Sequence, residues 1–299
     1  MQERLPICEK LLYWRGAAQR SSPPFSRFDG LLHFPAQAKT LRSSPLEPPL
    51  MNILHRPESD FREDPALFVE LAHAWAAGGP PPSAKHEAWL RELPRPLISK
   101  PALTRAAFWG VLSFPERARS LAWLERAGLL EEIIPSWSGD YLRQSLRLQA
   151  VDEVHLEHWA DGLSASAFDW LCVYQDQKAD GRLGGWALTG LATLLLSGDE
   201  PAASWSLRVS KDLKALGAAK GEIERVTGAI HEYPQFYEAI TANSPPVRAI
   251  SPTAIIATLA TLLVIPEMPA ETLTRGIRFA DSLLLRFAAP EQTGKHVPK

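Results

Sequence analysis

From Glu63 onward, apolar residues recur at helical spacing along most of the chain. The run Ala66-Leu67-Phe68-Val69-Glu70-Leu71-Ala72-His73-Ala74-Trp75 follows Asp64-Pro65, an acid at the cap and a proline in the first turn. Gly78-Gly79-Pro80-Pro81-Pro82 ends it. The same spacing predicts helices over 86–93, 102–112, 115–127, 142–163, 166–175, 183–196 and 204–216. Gly128 is the expected C′ residue of the fourth of these eight. Pro234 divides the next stretch into helices over 220–232 and 234–241, and two more follow over 252–264 and 270–287. Period-2 alternation between hairpin turns is almost missing, so the expected class is all-α, a multi-helix array. Short connections favour antiparallel neighbours.

Residues 1–50 break this pattern. Ser21-Ser22-Pro23-Pro24, Ser43-Ser44-Pro45 and Pro48-Pro49 interrupt regular structure, and only 7–13 suits a short helix. The expected organisation is a loosely ordered proline-rich segment over 1–50, a first helical domain over 51–140, a second over 141–289, and a flexible tail over 290–299. The most apolar stretch, 254–265, is too short for the roughly 20 residues that span a bilayer. Ser251-Pro252 reads as its N-cap and N1, Pro266 as its stop, and a buried core helix is expected. Residues 1–20 carry mixed charge without an apolar core and do not read as a signal peptide.

Composition narrows the function classes. The chain has 299 residues, 45% hydrophobic and 22% charged, so a sizeable core is available and wholesale disorder is excluded. A net charge of −2 excludes global attraction to nucleic acid while leaving room for a local basic face. Two cysteines, Cys8 and Cys172, cannot build a zinc site alone and fit a reducing, cytoplasmic setting. Cys172 lies in an apolar helical run and reads as a buried structural thiol. Tryptophans at 75, 89, 109, 123, 159, 170, 186 and 205 fall nearly one per helix, as core fillers do.

Ile53-Leu54-His55-Arg56-Pro57 with Phe61 and Asp64-Pro65 is the first of several segments that stand in a meaningful order. Leu121-Ala122-Trp123-Leu124-Glu125-Arg126-Ala127-Gly128-Leu129-Leu130 with Ile134-Pro135 is the second, and Val151-Asp152-Glu153-Val154-His155-Leu156-Glu157-His158-Trp159 the third. Gly221-Glu222-Ile223-Glu224-Arg225-Val226 with Ile230-His231 follows. Over roughly 51–240 the chain resembles the neck, body and HD-like region of bacterial CCA-adding tRNA nucleotidyltransferases and poly(A) polymerases, with PII uridylyltransferases as more distant relatives. That resemblance implies an all-α scaffold with an RNA-processing ancestry.

The departures shape the expected function. No Gly-Ser or Gly-Gly turn is followed by the Asp-x-Asp pair that holds two Mg²⁺ ions, so the catalytic head is missing. Leu67 and Glu70 stand where the family's neck carries two arginines. The HD doublet falls on Leu196-Ser197, neither of them a metal ligand there, with Asp199 two residues late. The resemblance therefore implies a pseudoenzyme with no cofactor. Its work would be contact with tRNA or other RNA, or docking onto a separate nucleotidyltransferase head or another protein. The rival is an HD-type metal phosphohydrolase acting on nucleotides or phosphoesters, with ligands drawn from His155, His158, Asp199 and His231.

Other motifs add little. Gly181-Arg182-Leu183-Gly184-Gly185 lacks a following Gly-Lys-Ser/Thr and reads as a helix-to-helix turn. No Gly-x-Ser-x-Gly elbow places a nucleophile. For RNA, the candidates are Lys100 and Arg105, in a stretch with few acids, and Arg143 and Arg147, four apart on one predicted helical face.

Overall fold

A computed structural model of the chain describes residues 52–94, 101–114, 117–137, 147–151, 162–177, 183–196, 200–246, 248–265 and 268–288. The expected loose segment over 1–50 and the tail over 290–299 lie outside them. Pro45–Lys299 forms one compact unit. The protein is all-α, and no strand occurs among the described residues.

A 3₁₀ turn, Ile53–His55, leads into α1 (Glu58–Glu63), α2 (Leu67–Ala76), α3 (Ala84–Glu92), α4 (Pro101–Leu112), α5 (Arg117–Arg126) and α6 (Leu130–Ile133). A second group holds α7 (Ala165–Asp176), α8 (Gly185–Leu194), α9 (Ala202–Ala215), α10 (Lys220–Thr241), α11 (Pro252–Val264) and α12 (Ala270–Ala288). Residues 147–151, between the groups, are also helical.

The ends follow local chemistry. Ser251 Oγ accepts the Ala254 N–H at 3.3 Å, and Pro252 sits at N1, as the sequence predicts. Helix α5 closes at Gly128, φ 66°, with Gly128 N–H on Glu125 O at 2.8 Å and Leu129 N–H on Leu124 O at 2.9 Å. That is a Schellman cap, and Asn243 repeats it after α10.

Two expectations are corrected. Helix α2 starts at Leu67 with Ala66 at its cap. The Asp64 carboxylate accepts the Ala66 N–H at 3.2 Å, so Asp64-Pro65 caps a turn that precedes the helix. The predicted break at Pro234 does not occur, because α10 runs unbroken through it. An interior proline costs about 3 kcal/mol through a lost hydrogen bond and a clash. Burial on both sides offsets that cost, by Val226, Ala229 and Ile230 before Pro234 and by Phe236 and Ile240 after it.

In the first group α2 is central and packs on α1, α4, α5 and the 3₁₀ turn. Phe61, Phe68, Leu71, Phe108 and Leu124 are fully covered there. In the second group α10 and α11 pack on each other and on α8 and α12, while α9 lies on α10 and α7 on α12. Helix α11 is buried on all sides from Pro252 to Leu262, which explains its all-round apolar sequence. Among the described residues no helix is long and apolar enough to cross a membrane. The described tryptophans behave as core residues: Trp109, Trp123 and Trp205 are buried, and Trp75, Trp89, Trp170 and Trp186 pack partly buried against the core, while Trp159 lies outside the described residues.

The groups meet where α4 touches α8. Arg117 of α5 donates to the carbonyls of Leu112 (3.1 Å) and Trp186 (3.2 Å), and the Ser136 N–H donates to Asp212 at 2.6 Å. One continuous hydrophobic core runs through both groups.

Candidate nucleic-acid interface

Of the positions the sequence proposes for metal chemistry, His155, His158 and Asp199 lie outside the described residues, as do Ser197 and the Cys172 side chain. His231 is described. It stands exposed on α10, with Nε2 2.7 Å from Ser206 Oγ on α9. A serine so close to an imidazole has the composition of a nucleophile and base. Ser206, however, is 5% exposed and its hydroxyl also lies 3.1 Å from Ala203 O. The pair ties α9 to α10 and offers no open hydroxyl to a substrate. Among the described residues no group of three His, Cys, Asp or Glu side chains is placed to hold a metal ion.

Leu196, a position the resemblance aligns with the HD doublet, is buried, and its carbonyl accepts from Arg147 at 3.4 Å. Leu67 and Glu70, the positions the resemblance aligns with two neck arginines, face inward. Leu67 is buried in the core, and Glu70 is half-buried. Burial pushes the Glu70 carboxyl above its ordinary range; Arg56 opposes the shift and Asp64 adds to it.

Two of the four cations proposed for RNA, Lys100 and Arg143, lie outside the described residues. The other two separate. Arg147 is 5% exposed, which corrects its assignment to an outward face: neighbours in its own short helix, Leu148, Ala150 and Val151, are buried with it. Arg105 is partly exposed and reaches across the groups, its Nη1 donating to Gly217 O at 3.4 Å. Gly217 closes α9, so Arg105 stands at the negative end of that helix dipole.

Helix α9 carries a basic face that linear reading of the sequence misses. Its exposed residues are Ala203, Ser204, Leu207, Arg208, Lys211, Lys214 and Ala215, three of them cationic and none acidic. Arg208 pairs with the Glu200 carboxylate and lies 4.8 Å from the Trp205 ring centroid. No ion pair among the described residues engages Lys211 or Lys214. The one acid of α9, Asp212, is turned the other way to hold the Ser136 N–H. The signal in the sequence is the spacing Arg208-x-x-Lys211-x-x-Lys214, which keeps three cations on one side of a helix. Asp212, four residues after Arg208, borders that side and hides the pattern in the sequence, while in the fold its carboxylate is taken up by the Ser136 N–H.

No protein-family model and no curated protein matches the chain.

Proposed function

We propose that the chain is a non-catalytic helical protein that binds RNA through phosphate contacts on the outer face of α9. The observation that carries this reading is the exposed face of α9, whose own residues supply Arg208, Lys211 and Lys214 and no acid, with Arg208 paired to Glu200 before the helix and Arg105 at its C-terminal end. Phosphate recognition needs clustered cations on one face more than it needs a basic chain, so a net charge of −2 does not oppose it. The resemblance to the nucleotidyltransferase neck and body supports RNA as the polyanion. The inward turn of Leu67 and Glu70 fits a scaffold that no longer contacts a nucleotide at its neck.

The test is tRNA binding measured across a salt series. Binding at low salt that falls steeply on salt addition is expected. Lys211→Ala with Lys214→Ala lowers the log–log slope by roughly 1.5, at about 0.7–0.9 for each phosphate left without its cation. A tRNA that does not bind at low ionic strength, or a slope the double variant leaves unchanged, overturns the reading.

A further inference from the structure

The N-terminus of α3 is held by an unusual partner. Ser83 is its N-cap and His86 its N3 residue, and the two form a capping box. In that motif the N3 position ordinarily carries Glu or Gln, whose side-chain oxygen accepts the N-cap N–H. Here the acceptor is an imidazole nitrogen: the Ser83 N–H donates to His86 Nδ1 at 3.1 Å, and the Ser83 hydroxyl lies 3.0 Å from the same atom. A backbone N–H can only donate, so Nδ1 carries no proton in this arrangement.

The ring is also enclosed. His86 is 6% exposed. The Phe61 ring of α1 has its centroid 5.4 Å away, and Trp89, one turn along α3, stands edge-on at 5.2 Å. The charged groups of this corner are engaged with one another. Arg62 of α1 bridges Glu58 at 2.6 Å and Glu92 of α3 at 2.6 Å, Arg91 reaches Glu87 at 3.5 Å, and Asp60 pairs with Arg56 at 3.7 Å. Glu63 and Lys85 are exposed. Burial lowers the proton affinity of His86.

We propose that the α1–α3 corner is a pH-sensitive element, in which protonation of His86 at mildly acidic pH uncaps α3 and releases its aromatic contact with α1. A proton on Nδ1 removes the acceptor that the Ser83 N–H needs. It also sets a positive charge in the first turn of a helix, where the dipole repels it. The imidazolium is then better accommodated in water than between Phe61 and Trp89, and local opening supplies that water. The device is separate from the α9 face, since the two lie on different helical groups and share no residue.

The substitution His86→Gln tests this directly, because Ser-x-x-Gln keeps the capping box with an acceptor that does not titrate. Hydrogen exchange of the α3 amides in the full chain, corrected for intrinsic rates, is compared at pH 7.5 and pH 5.0. In the wild-type chain the opening of α3 increases on acidification, by at most about thirtyfold, the protonated-to-neutral ratio of an ordinary imidazole at pH 5.0. In His86→Gln the opening stays level. The α9 amides serve as the internal control for general acid destabilisation. Equal protection of wild-type α3 at both pH values overturns the proposal. So does an increase in His86→Gln as large as in the wild type, or an increase that α9 shares in full.

Discussion

The Arg117 guanidinium carbon stands 3.7 Å from the centroid of the Trp186 ring. The cation belongs to the first helical group and the ring to the second, so the contact joins them at their boundary. Arg117 is fully covered, and the same side chain hydrogen-bonds the carbonyls of Leu112 and Trp186. A buried cation held by a ring face and by carbonyl oxygens is costly to desolvate and more costly to remove, because its acceptors then remain buried without their donor. Arg117→Met is expected to lower unfolding free energy by about 2–4 kcal/mol. Urea unfolding measures it, and a midpoint that shifts by less than a few tenths of a molar would show that the pin carries little.

Gly190 of α8 makes room for that pin. A Cβ built there overlaps Arg117 Nη1. Alanine is a better helix former than glycine by about 1 kcal/mol, so propensity alone predicts that Gly190→Ala stabilises α8. The geometry predicts the opposite sign in the wild-type chain. It also predicts that the sign reverses once Arg117 is shortened to alanine. A double-mutant cycle with a coupling of about 1–3 kcal/mol is the expected outcome. Additive effects would mean that the guanidinium relocates at no cost.

Much of the helical frame is legible in the sequence because its punctuation is chemical. Ser251-Pro252 and Gly128 each mark a terminus through one donor, one acceptor or one backbone angle, and each does so in the fold. Pro234 misleads because a proline reports only its own local cost, and the burial that offsets it comes from the helices packed on α10, namely α8, α9, α11 and α12. The site is less legible for a similar reason. Arg147 and Lys211 are both helical cations in sequence, yet one is covered and the other stands in solvent. Periodicity gives a residue's side of a helix and does not say whether a neighbouring segment covers that side.

The pH behaviour of Glu70 can be worked out from its surroundings. Burial raises its folded pKa above the unfolded value of 4.5. The folded state therefore holds the proton more tightly than the unfolded state, and stability falls as pH rises upward from 4.5. Glu70→Gln removes the charge and keeps the volume. The variant should be more stable than the wild type at pH 7 and lose that advantage below pH 4.5. Thermal unfolding at both ends of the range gives the answer, and an advantage that persists at pH 4 would assign the effect to something other than ionisation.

Arg105 and Gly217 stand 112 positions apart in the chain and meet as donor and acceptor. Gly217 has φ 68°, which favours glycine, and a Cβ there would also overlap the Arg105 guanidinium. Two constraints of different origin thus fall on one residue, one from its own backbone and one from a distant helix. The partly exposed Arg105 guanidinium can swing aside to admit a Cβ, whereas the positive φ stays unfavourable to one, so drift at position 217 is held back by the turn more than by the arginine. Lineages that shed this glycine should therefore be those in which the turn between α9 and α10 has first changed shape.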